Sequence, residues 1–127
     1  MLQVPFFRPS ISDAEVEAVA EVLRSGWLTS GPKVKQFEQE FAQAVGGEHA
    51  VAVNSCTAAL HLSLLAMGLK PGDCVLVPTM TFAATGYAVC YHGATPFLVD
   101  CDRRTFNMEL EDAVRMLLAA LWGELPA

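Results

Sequence analysis

The chain has 127 residues, 53% of them hydrophobic, and a formal net charge of -6, with a mean hydropathy of +0.35. That is the scale of one globular domain, unusually rich in apolar residues. No Lys/Arg cluster offers a footprint for phosphate backbones or anionic lipid, so nucleic-acid and membrane-surface partners are not expected. No apolar run approaches the roughly 20 residues of a membrane span, and MLQVPFFRPS lacks a basic region followed by an apolar one, so a cytoplasmic setting is expected. Cys56, Cys74, Cys90 and Cys101 form no CxxC pair and read as small core residues in a reducing compartment. His49, His61 and His92 have no ligand spacing with them or with each other, so no metal is expected.

In chain order, an extended, proline-bounded segment from Val4 to Pro9 precedes a capping box of Ser12 and Glu15. The box opens a helix whose apolar stripe, Val16, Val19, Ala20 and Leu23, ends at Gly26. The loop from Ser25 to Val34 superficially matches GxxxxGK[ST]. Pro32 intrudes, however, Val34 replaces the hydroxyl residue and the loop follows a helix, which rejects a nucleotide triphosphate loop. Pro32 suits the first turn of a second helix, with the stripe Val34, Phe37, Phe41 and Val45 and a stop at Gly46 and Gly47. Trp27 and Thr29 are left between the two helices, either as a packed aromatic and a turn residue or as the border of a pocket.

The stretch from His49 to Gly68 reads as a buried strand at Ala50 to Val53, a polar turn, and a helix from Thr57 on which Leu60, Leu64 and Met67 recur. The first turn of a helix leaves backbone N–H groups without intrahelical partners at the positive end of its dipole. Small residues at Ser55, Cys56, Thr57 and Ala58 would let a phosphate approach them, and two hydroxyls could add hydrogen bonds. An ordinary polar-capped crossover fits the same residues.

LKPGD is then a turn, Cys74 to Val77 a strand closed by Pro78, and Ala83 to His92 a helix with Gly93 just past its end. Thr95 to Val99 is a third strand, ending at Asp100 and Asp102. Strands alternating with helices predict a mostly parallel sheet with right-handed crossovers and ligands beyond the strand carboxyl ends. Those ends carry Asn54 to Ala58, Thr79 to Phe82, and Asp100 to Asp102. The last segment, Met108 to Ala127, reads as a helix capped by Asn107.

GWLTSGPKV, the Phe37-Glu38 pair, HAVAVNSCTAALHLSLLAMGLKPGD, VPTMTFAAT and GATPFLVDCDRRTFN together resemble the N-terminal third of the DegT/DnrJ/EryC1/StrS aminotransferases. The resemblance spans roughly residues 4 to 112. It implies the N-terminal part of the large domain of an α/β, fold-type-I pyridoxal-phosphate transferase. Within it, N-terminal helices would occupy 1–47, a strand-helix-strand-helix-strand core 48–107, and a divergent helix 108–127. The implied reaction is amination of a keto sugar linked to a nucleotide, with glutamate as amino donor, in a homodimer.

Carried over residue by residue, the resemblance assigns the pyridoxal 5'-phosphate phosphate to the turn of Ser55, Cys56, Thr57 and Ala58, through the amides of Thr57 and Ala58. It places Phe82 on the pyridine ring and Trp27 and Thr29 near the sugar-nucleotide pocket. Asp100 and Asp102 match the acidic end of the third strand, with a solvated or capping role expected. No catalytic residue is assigned. None of Lys33, Lys35 and Lys70 matches the family's cofactor-bonding lysine, and the tail after about Ala113 departs from the family, so an inactive N-terminal fragment is expected. The alternatives are a non-catalytic phosphate-binding or interaction protein and a fragment of a sugar dehydratase of the same family.

Overall fold

A computed structural model describes residues 4–123 and divides at Ala52/Val53 into two compact units. The first holds α1 (Asp13–Ser25) and α2 (Pro32–Val45). The box that opens α1 forms as its spacing predicts, with the Ser12 N–H donating to Glu15 Oε2 at 2.6 Å. Pro32 begins α2, where its missing N–H costs no hydrogen bond, and Gly46 ends it with φ +68°. Lys33 Nζ lies 3.4 Å from Glu21 Oε2. Glu38 accepts the Ala52 N–H at 2.9 Å and so holds the extended segment after α2.

The second unit holds α3 (Cys56–Ala66), β1 (Cys74–Pro78), α4 (Ala84–Cys90), β2 (Thr95–Val99) and α5 (Leu110–Trp122). The strands pair in parallel from Cys74 with Thr95 to Pro78 with Val99. A parallel pair requires a crossover, and α4 supplies it. Val77, Val89 and Ala94 form the core, with Leu64, Leu69 and Val75 packed against it, and Val99 is fully buried. The crossover turns back at Gly93, whose φ of +69° favours a residue without a side chain. A Cβ at Gly93 would lie 3.1 Å from Cγ of Pro71 in the turn before β1.

Several expectations need correction. Ala50 to Val53 forms no strand, because a strand requires a hydrogen-bonded neighbour and this run has no ladder partner among the described residues; Val51 is exposed. Asn107 does not cap the last helix. Met108 bridges instead to Cys101, and the helix starts two residues later at Leu110, after Glu109. Residues 124–127 of the expected tail helix lie outside the described residues. Cys56, Cys74 and Cys90 are exposed and Cys101 is half-buried, so they are not core residues. The pleat explains Cys74, because Val75 and Val77 share the inward face and Cys74 lies on the other.

Candidate phosphate and ring site

The expected site residues of the second unit lie at the start of α3 and in the run that follows β1. The chain leaves α3 at Ala66 and enters β1 at Cys74 through residues 67–73. From the carboxyl end of β1 the chain passes through Thr79 to Phe82 into α4, which packs on α3.

At the start of α3, Ser55 is extended and its Oγ accepts the Ala58 N–H at 3.1 Å. The Ser55 carbonyl accepts from Ala59. That leaves the N–H groups of Cys56 and Thr57 without an acceptor among the described residues. Of the two amides assigned to the phosphate, Thr57 is therefore free and Ala58 is engaged by the cap. Ser55 Oγ, occupied as an acceptor, still has its own hydrogen to donate. With small side chains at 55–58 and no carboxylate in the first turn, this helix end suits an anion in both charge and space.

Phe82 is 82% exposed just ahead of α4, so its ring face is free to stack on a planar ligand. Behind it, the Thr81 and Thr85 hydroxyls meet at 2.8 Å and brace the turn. Cys101 Sγ, just beyond β2, accepts the Met80 N–H at 3.1 Å and lies 3.4 Å from Thr79 Oγ1. This tie between the two strand ends was missed in the sequence, although equal-length parallel strands make residues just past their ends neighbours. Also missed was the contact of His61 with Tyr91 and His92 between α3 and α4.

Asp100 and Asp102 do turn work. Asp102 Oδ1 accepts from the N–H groups of Thr105 and Arg104, and these bonds, with the Thr105 hydroxyl, hold its carboxyl below the usual range. The Asp100 N–H donates at 2.9 Å to Asp112 Oδ2, which ties α5 to the end of β2. That bond first, and Arg115 second, lowers the Asp112 pKa. In the first unit, Trp27 and Thr29 line a cavity of about 230 Å³ together with Val22, Leu28, Pro32 and Val34. Gly31 keeps that wall open, since a Cβ there would touch the Trp27 side chain at 3.4 Å.

The second unit thus holds a helix start with two unpartnered amides at Cys56 and Thr57 and an exposed aromatic, Phe82, past the end of a parallel strand. The family model for the DegT/DnrJ/EryC1/StrS aminotransferases matches residues 9–118, and the chain belongs to that family. It is 51% identical over 114 residues to the spore coat polysaccharide biosynthesis protein SpsC of Bacillus subtilis, a match covering 87% of this chain and 29% of that protein. The sugar aminotransferase Spr1654 of Streptococcus pneumoniae, solved in PLP and PMP forms, is 39% identical. The PLP form superimposes with a TM-score of 0.83 over 90% of this chain and 29% of that one. A family aminotransferase from Brucella abortus is 34% identical with a TM-score of 0.81, covering 89% of this chain and 31% of its own. The chain thus spans under a third of the length of these relatives. No helix among the described residues is long and apolar enough to cross a membrane.

Proposed function

We propose that this chain carries the phosphate cup and ring-stacking residue of a pyridoxal 5'-phosphate-dependent aminotransferase acting on keto sugars linked to nucleotides, with glutamate as amino donor. The observation that carries this reading is the pair of unpartnered amides at Cys56 and Thr57, beside the Ser55 cap at the start of α3. These amides and the Ser55 hydroxyl bind the phosphate, Ala58 gives it room, and Phe82 covers the ring. Once bound, the cofactor supplies an electron sink for moving the amino group. Trp27 and Thr29 contribute to binding of the sugar nucleotide. The complete protein is a cytoplasmic homodimer, and this chain by itself does not catalyse, because none of its lysines is the cofactor-bonding one. Lys33 is already paired with Glu21. The naming of SpsC as a spore coat polysaccharide biosynthesis protein and the PLP and PMP forms of Spr1654 support the reading.

Amide shifts measured on titration with inorganic phosphate and with pyridoxamine 5'-phosphate test it. Expected are shifts clustered on Ser55 to Ala58, saturating in the millimolar range or above, since one helix end contributes only about 0.3 to 1 kcal/mol to an exposed anion. Shifts clustered elsewhere refute the site. Borohydride reduction with pyridoxal phosphate, followed by peptide mapping, should label no single lysine stoichiometrically. Full labelling of Lys33, Lys35 or Lys70 would overturn the inactive-chain reading.

A further inference from the structure

Two histidines outside the cup and the ring contact join the helices that carry them. His92, just past the end of α4, brings Nε2 to 3.1 Å from the backbone carbonyl of His61 in the middle of α3. A carbonyl oxygen can only accept, so Nε2 of His92 carries the hydrogen. The two rings stack with centroids 4.6 Å apart and planes 26° apart. Tyr91 meets the His61 ring edge-on at 5.6 Å. His61 Nδ1 is sealed from solvent without a hydrogen-bond partner, so the His61 ring is held by its face and edge, not by a polar contact of its own. Among the described residues, no other side-chain hydrogen bond links α3 to α4.

The place of this contact gives it a consequence. His61 is four residues, or about 6 Å of rise, from Thr57 in the cup. His92 lies two residues past the end of α4, and Phe82 two residues ahead of its start. We infer that the His61–His92 contact sets the spacing between the phosphate cup and the ring-stacking face, which makes His92 a positioning residue for a ligand that must reach both. The inference rests on the cofactor reading above. A small anion bound by one helix end does not sense that spacing; a ligand with a phosphate at one end and a ring at the other does.

Titration of the 127-residue chain with two probes separates the cases. His92→Ala is expected to weaken pyridoxamine 5'-phosphate about 2- to 12-fold, the scale of a lost ring contact, and to leave inorganic phosphate unchanged at the same amides. His92→Gln, which can keep an N–H on the His61 carbonyl, should recover part of the loss. In a Phe82→Ala background, His92→Ala should add nothing. His92→Leu keeps bulk against α3 and gives the same readout should His92→Ala lose its dispersed amide spectrum. Equal weakening of both probes, or of neither, overturns the inference. A wild-type chain with no shifts at 55–58 for either probe overturns the cofactor reading itself, and the inference with it.

Discussion

Ser55 is the residue at which stability and ligand binding can be pulled apart. Its Oγ accepts the Ala58 N–H at 3.1 Å at an exposed helix end, while the neighbouring amides of Cys56 and Thr57 stay free. Ser55→Ala removes the cap. Caps of this kind contribute about 0.5 to 2 kcal/mol, and exposure puts this one in the lower half, so about 0.5 to 1 kcal/mol is expected. That corresponds to a roughly two- to five-fold rise in local opening, read as faster hydrogen exchange at Ala58 and Ala59. Ser55→Asp keeps an acceptor for the Ala58 N–H and suits the helix dipole, so α3 should be as stable as in the wild type or more so. Its carboxylate, however, occupies the position and the charge that a phosphate needs. Phosphate-induced shifts at 55–58 should vanish in Ser55→Asp and persist, weakened, in Ser55→Ala. The reasoning is refuted if Ser55→Asp binds phosphate as the wild type does, since the anion would then lie away from these amides. An unchanged Ala58 exchange rate in Ser55→Ala would equally show that the cap bond contributes nothing.

Other outcomes are expected elsewhere in the chain. The Asp112 carboxyl is held below its ordinary range by the Asp100 N–H and Arg115, so its contribution is present above the unfolded carboxylate pKa and is lost as pH falls through the lower folded value. An acid titration followed by exchange at Asp100 should show this end of α5 loosening with acid, and Asp112→Asn should flatten that dependence. Val99→Ala, at a fully buried position, should cost about 2 kcal/mol in denaturant unfolding, and a loss below about 0.5 would show that the strand pair is not packed as described. Exposed Phe37, Phe41, Leu117, Leu121 and Trp122 leave large apolar area on the helices, so the chain should associate or bind hydrophobic dyes; a sharp monomeric transition without dye binding would contradict this.

The elements were legible where their signals are local. Glycines in the left-handed region end α1 and α2 at Gly26 and Gly46, Pro32 opens α2, and the Ser12–Glu15 box opens α1, each within a residue or two of its reading. The paired strands were legible because short apolar runs were bounded by Asp73, Pro78, Gly93 and Asp100. Ala50 to Val53 carries the same apolar signal, but ladder formation depends on a partner that no local pattern names. The start of α3 was visible as small residues ahead of a helical stripe. Which of its amides is free was not, because that depends on whether the Ser55 side chain turns back onto Ala58. The histidine contact was hidden for a different reason: His61 and His92 are 31 positions apart, and a stacked pair leaves no periodicity behind.

The close approach of Gly93 to Pro71 bears on how such a chain can vary. These residues sit in different turns, yet one position constrains the other. A side chain at 93 meets a left-handed backbone penalty of roughly 1 to 2 kcal/mol and, in addition, the Pro71 ring. Replacing Pro71 with a smaller residue relieves only the second. Drift at 93 therefore stays closed even after drift at 71 has opened, so the two sites should co-vary in one direction only, with 71 free to change while 93 remains glycine.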